Sequence, residues 1–260
     1  MMKNSILLIT ISAILLLGCN GQSNSQKQSN DITGNPPTGS DYNLTQDEIR
    51  SLSQNLKPII PGLPTIGILM FDDVLQTELT APVDVFAKHS EDGKQLFNVI
   101  TIAEKYDLFT SEEGLKMFPD YIFSNAPQLD IIIVPSAYDM TEKVKDITLV
   151  DFIKNQDNNT EYTISNCAGA TLIGEAGIAS GKKIVTWIGG GVDLQKAYPD
   201  LKVQDDSKIS FVEDGKFMSS NGNLASYISS LELLEKLTDR KHREYVESSL
   251  YLDRLQQWKK

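Results

Sequence analysis

Cysteine, histidine and positive charge are all scarce in this sequence. Two cysteines, Cys19 and Cys167, and two histidines, His89 and His242, are spread over 260 residues. Cysteines so few and so far apart build neither a disulfide framework nor a zinc site. The two distant histidines offer no paired ligand spacing either, so no metal and no other cofactor is expected. Lys and Arg number 24 against 35 Asp and Glu, a formal net charge of −11, and no basic run reaches five residues. Binding nucleic acid requires clustered basic residues, so it is not expected as a partner. No internal repeat is visible. Gly189-Gly190-Gly191 lacks the spacing and the lysine of a P-loop and reads as a flexible loop beside a site. What the chain does have is a hydrophobic content of 40%, enough for a core and too much for disorder throughout.

Residues 1–18 combine a basic start at Lys3 with an apolar run from Ile6 to Leu17. That run is too short for a membrane span and reads as a signal-peptide core. Its end, Leu16-Leu17-Gly18-Cys19, resembles the lipobox of bacterial lipoproteins. The resemblance implies that Cys19 is lipidated (palmitate among its acyl groups) and becomes the mature N-terminus. The protein would then be held to a membrane in the cell envelope, facing the periplasm or the cell exterior. Asn20, rather than Asp, would favour the outer membrane under Gram-negative sorting. Residues 20–41, rich in Gln, Ser, Asn and Gly, read as a tether. Leu44–Leu56 has a weak helical period with Thr45 as its cap, closed by Pro58, Pro61 and Pro64. The expected organisation is a signal peptide at 1–18, a tether and ancillary helix at 19–60, and one folded domain at 61–260.

Within that domain, Thr163–Gly177 organises the rest. A β-prone run, Tyr162–Ser165, meets a small-residue apolar helix beginning near Ala168, with Cys167 at the junction. Such a strand-to-helix turn has the geometry of a nucleophile elbow. It would face the thiol to solvent or substrate, and the first helical N–H groups would help stabilise a thiolate. Position alone leaves Cys167 open between a reactive thiol and an inert buried one.

Around it, strands are expected at Thr65–Phe71, Phe97–Ala103, Asp130–Val134, Ile184–Trp187, Ile209–Val212 and Phe217–Ser219, the last two a hairpin. Asp107–Phe118 looks irregular, with a short hairpin near Gly114. Helices are expected at Glu78–His89 with Pro82 in the first turn, Leu149–Asn155, Val192–Tyr198, Ala225–Leu237 and Arg243–Trp258. His89 reads as a helix-end residue and His242 as a surface one. The alternation predicts an α/β fold with an open, mostly parallel sheet and helices on both faces. Ligands in such sheets sit beyond the carboxyl ends of the strands, where Cys167 lies.

Four segments together resemble the ThiJ/PfpI superfamily, which has a flavodoxin-like, class I glutamine-amidotransferase-like fold. They are Gly67–Asp73 with Glu78–Phe86, Asp130–Pro135, Ser165–Ala170 with Glu175–Gly177, and Phe211–Gly215 through Ser219–Gly222. The likeness is to the branch holding isocyanide hydratases and the sensor domains of AraC-type regulators. It implies that Glu78 reaches the cysteine and, protonated through burial, donates a hydrogen bond to a thiolate or a proton to substrate. It implies that backbone N–H groups of Ala168 and Ser136 hold developing negative charge, and that the protein forms a homodimer. Other branches carry a histidine where this chain has Ala168 or Trp187, so protease-like or amidase-like chemistry is not expected. Asn166, Tyr138, Asp139, Trp187 and Ile188 are the candidate pocket residues. The leading expectation is a cysteine-dependent hydratase or hydrolase of a small molecule. A non-catalytic ligand-binding or thiol-sensing module is the rival, and an activity on reactive carbonyls the third reading.

Overall fold

The computed structural model describes residues 43–54 and 56–257. Cys19, the signal peptide and the tether up to residue 42 therefore lie outside the described residues. In chain order the elements are α1 (Gln46–Ser53), β1 (Thr65–Leu69), α2 (Gln76–Phe86), β2 (Asn98–Ala103), β3 (Phe109–Thr110), β4 (Lys116–Met117) and β5 (Tyr121–Ile122). They continue with β6 (Ile131–Val134), α3 (Ile147–Asp157), β7 (Tyr162–Asn166), α4 (Gly169–Ala176), β8 (Lys183–Ile184), α5 (Gly191–Ala197) and β9 (Lys202–Val203). The last are β10 (Phe211–Asp214), β11 (Phe217–Ser220), α6 (Ala225–Leu237), α7 (Arg240–Ser249) and α8 (Leu252–Gln257).

Apolar and β-branched runs make the centre of the sheet. β1 (TIGIL) and β6 (IIIV) are buried at every position, as strands covered on both faces must be. The strand order is β10-β11-β7-β6-β1-β2-β5. All neighbours run parallel except the β10–β11 hairpin. From β1 the chain steps through α2 to β2 in one direction, and from β6 through α3 to β7 in the other. Right-handed crossovers then put α2 and α3 on opposite faces. α2 packs on α6, and α3 on α4; the Tyr227 hydroxyl donates to Asp84 at 2.7 Å and ties α6 to α2. The order reverses between β1 and β6, so the crevice for a ligand opens at the carboxyl ends of β1, β6 and β7.

Several elements differ from the sequence reading, each for a local reason. α2 begins at Gln76, so Pro82 is its seventh residue and not in the first turn. Its missing N–H leaves the Glu78 carbonyl without the usual helical partner. Ile184–Trp187 is not one strand. β8 ends at Ile184 and pairs with β9 in a separate two-stranded sheet, after which the chain turns toward the site. The two-residue edge strand β5 carries too little pattern to read. The last helix breaks at Tyr251, whose φ is +57°, giving α7 and α8. His242 is not a surface residue: it is buried beside Tyr245, and burial lowers its pKa.

α1 is capped as expected, with Thr45 and Glu48 bonded reciprocally. Beyond it the chain docks on β2: Ile60 N–H donates to Asn98 Oδ1 at 2.9 Å and Lys57 Nζ to the Val99 carbonyl at 2.6 Å. Among the described residues no helix is long and apolar enough to cross a membrane.

Candidate active site

The turn from β7 to α4 is tight enough to force Cys167 into left-handed backbone, φ +52°. That conformation costs a non-glycine residue about 1–2 kcal/mol, and bonds on both sides hold it. Cys167 N–H donates to the Ser220 carbonyl at 2.9 Å. The Cys167 carbonyl accepts from Thr186 Oγ1 at 2.9 Å, and the Thr186 carbonyl accepts from Asn221 Nδ2 at 2.6 Å. A Cβ on Gly169 would lie 2.4 Å from the Val134 carbonyl, so only glycine lets α4 start this close to the end of β6.

Glu78 arrives from the first turn of α2 and is fully buried. A buried carboxylate must find donors. Ser136 N–H donates to Oε2 at 2.7 Å and Asn223 N–H to Oε1 at 3.1 Å. The carboxyl lies beside the Cys167 side chain: a Cβ on Gly222 would stand 2.2 Å from both Glu78 Oε1 and Cys167 Cβ, and each group shifts the other's titration. Burial raises its pKa; the bonds from Asn223, Ser136 and Cys167 oppose the rise without cancelling it. The Cys167 thiol is pushed up to about 11, first by burial and then by the charge of Glu78, against the Ser136 hydroxyl and Ala168 N–H. This corrects the expectation of a helix-stabilised thiolate. The sulfur's residue is only 8% exposed, and the one backbone amide that favours its anion is that of Ala168, the N-cap of the eight-residue α4. Because each shifts the other, the two groups titrate as a coupled pair.

The expected oxyanion donor at Ser136 is also corrected, because its N–H is committed to Glu78. The next two amides of that loop are engaged as well, Ala137 N–H to Met140 Sδ at 3.1 Å and Tyr138 N–H to Glu112 at 3.3 Å. Ala168 N–H faces the sulfur. Asn166 is not a pocket residue. It is fully buried under the sheet end, where its Oδ1 accepts from Ser220 Oγ at 2.7 Å and Ser229 Oγ at 3.0 Å.

Above Cys167 opens a cleft of about 920 Å³. Tyr138, Trp187 and Ile188, all proposed from sequence, line it with Met140, Leu194 and Leu224. Asp139 and Asp193 are its ionisable side chains besides Cys167 and Tyr138 and Tyr198; Lys, Arg and His are absent from the lining. An uncharged or cationic ligand therefore suits it better than an anion. The triple-glycine loop follows Trp187 and Ile188 in the chain, and its amides do hold an anion, an internal one. Gly189 N–H donates to Asp206 Oδ1 at 2.9 Å and Gly191 N–H to Oδ2 at 2.6 Å, fixing the loop that carries Trp187 and Ile188. Sequence reasoning missed this clamp, and it missed Thr186 and Asn223. Thr186 was legible only as the neighbour of Trp187, and Asp206 carried no signal.

The model of the DJ-1/PfpI family matches residues 64–236. The isonitrile hydratase of Pseudomonas putida is 31% identical over 173 residues, 66% of this chain and 71% of that protein. The transcriptional regulator GbdR of Pseudomonas aeruginosa is 21% identical over 198 residues, 73% of this chain and 52% of that protein. Among solved structures, a ThiJ/PfpI family protein from Pseudomonas syringae superposes with a TM-score of 0.66 at 19% identity, covering 76% of this chain and 82% of that one. Drosophila melanogaster DJ-1beta does so at 0.61 and 16% identity, over 73% and 98%. The parallel sheet, the residue at its β7–α4 turn and the acid leaning over it thus sit inside a match that spans most of the folded part, and the chain belongs to the DJ-1/PfpI family.

Proposed function

We propose that this chain is a cysteine-dependent hydratase of small, uncharged, apolar molecules of the isonitrile type. The observation that carries the reading is Cys167 at the floor of an apolar cleft, with the fully buried Glu78 beside it and the loop amides already engaged. A thiol attacking a carbonyl leaves an alkoxide that needs two donors. Attack on the terminal carbon of an isonitrile leaves charge on carbon, which a single proton quenches. Glu78 takes the Cys167 proton as sulfur bonds to that carbon, then returns it to the same carbon, leaving a thioimidate. Water adds to the thioimidate carbon with Glu78 as base, and the proton Glu78 takes from it passes to nitrogen as the C=N bond becomes single. The carbon–sulfur bond then breaks as the new hydroxyl becomes the carbonyl, its proton goes through Glu78 to sulfur, and the formamide leaves. Activity on reactive carbonyls ranks lower for want of the donor pair.

The test is turnover of a neutral alkyl isonitrile by the full chain, with formamide measured and Cys167→Ser alongside. Formamide from the wild type and none from the variant is the expected result. A non-catalytic small-molecule sensor is the second reading, favoured by the high thiol pKa and the 21% likeness to a regulator. Saturable isonitrile binding by both proteins with no formamide from either would select it. The same proposal includes lipid attachment at Cys19 in the cell envelope and self-association as a dimer. Alkyne-palmitate labelling that survives in the wild type and vanishes in Cys19→Ala checks the anchor.

A further inference from the structure

Ser136 stands two residues past the end of β6 and is fully buried. Its N–H holds Glu78 Oε2, yet its hydroxyl forms no hydrogen bond of ordinary geometry. An orphaned buried hydroxyl costs about 1–3 kcal/mol, so its location asks for a use. The Ser136 backbone N–H ties it to Glu78, whose Oε1 lies beside Cys167 Cβ, and the hydroxyl favours the charged form of both groups. The groups able to titrate against it are Glu78 from α2 and Cys167 from the β7–α4 turn; Asp139 and Asp193 line the cleft farther out and are exposed.

We propose that Ser136 is a positioning residue whose hydroxyl turns between Glu78 and Cys167, donating to whichever of the two carries the negative charge. The inference rests on the reading of these two groups as a reactive pair. When the proton leaves Cys167 Sγ for a Glu78 oxygen, one S–H bond breaks, one O–H bond forms, and the net charge stays the same. The anion moves from the carboxylate to the sulfur, and a hydroxyl with a free rotor can follow it. A backbone amide cannot, because its direction is set by the chain. Ser136 thereby supplies part of what an imidazole beside the cysteine supplies elsewhere: a hydrogen-bond donor for the thiolate.

The test is the rate of Cys167 alkylation by iodoacetamide against pH, read on the Cys167 peptide of the full chain by mass spectrometry. Ser136→Ala and Ser136→Gly both remove the hydroxyl and keep the N–H to Glu78. The rising limb should move to higher pH in both, while melting temperatures stay within a few degrees of wild type. A tenfold loss of thiolate at fixed pH lowers the observed rate about three- to fourfold, since the more basic sulfur is also the better nucleophile. If Ser136→Ala melts too low to assay, Ser136→Gly gives the same readout. Profiles superimposable on wild type overturn the proposal. The outcome separates from the hydratase reading: a moved limb without isonitrile turnover sinks only the activity, and turnover with an unmoved limb sinks only the role of Ser136.

Discussion

Gly222 is the position where one added carbon should do the most damage to the site. Its φ is +81°, and a Cβ there would lie 2.2 Å from Cys167 Cβ, 2.2 Å from Glu78 Oε1 and 3.0 Å from Cys167 Cα. Carbon contacts relax only near 3.5–4.0 Å. Neither neighbour yields cheaply: Cys167 is fixed in strained backbone, and Glu78 Oε1 is held by Asn223 N–H. Gly222→Ala therefore adds about 1–2 kcal/mol of left-handed strain to roughly 1–3 kcal/mol of overpacking. A total near 2–5 kcal/mol should lower the melting temperature by about 5–20 °C in a domain of this size. The carboxyl must move as well, and a displacement of ~1 Å costs about 10²-fold in turnover. Gly93→Ala separates the two causes. Gly93 has the same φ, +81°, and open space within 4 Å of the added carbon, so it carries the strain without the crowding. Differential scanning fluorimetry and Cys167 alkylation on both variants decide the matter. Equal melting losses, with alkylation in Gly222→Ala unchanged from wild type, would refute the reasoning.

Two further predictions concern the coupled pair. Glu78→Gln removes the negative charge that helps raise the thiol, so Cys167 should alkylate several-fold faster at pH 8 while isonitrile turnover falls by about 10²-fold or more; parallel changes in both would contradict the assigned role. Stability should also fall in alkali. The folded thiol titrates at about 11 and an unfolded one near ~8.5, so the unfolded chain loses its proton first. The contribution is whole below pH ~8.5 and disappears as pH rises toward 11, a loss of about 3 kcal/mol. Urea midpoints of wild type should therefore drop over that window relative to Cys167→Ser, and a constant difference between the two would refute the assignment.

Buried apolar runs were the most legible part of the chain. TIGIL and IIIV admit few places other than the middle of a parallel sheet, and the hydrophobic stripe of Ala225–Leu237 marked α6 to the residue. Short edge elements such as β5 and β9 were invisible, because two residues carry no period. Within the site, Cys167 and Glu78 were legible, yet two of the residues proposed beside them were misplaced for reasons the sequence already contained. Asn166 is the last residue of β7, and alternate residues of a strand point to opposite faces. Its nearness to the cysteine in sequence was no argument for nearness in the pocket.

The error at Ser136 is more instructive. Placing a carboxyl from α2 against the cysteine removes it from water, and a buried carboxyl without donors costs several kcal/mol. Those donors had to come from whatever ends nearby, and β6 ends at Val134, two residues before Ser136. Assigning Glu78 to the site and leaving Ser136 N–H free for an oxyanion were therefore competing claims on one amide. Burial decides between them in favour of the carboxyl. That outcome pushes the chemistry away from carbonyl substrates, and it leaves the serine side chain, rather than its backbone, as the group still able to respond when charge moves to sulfur.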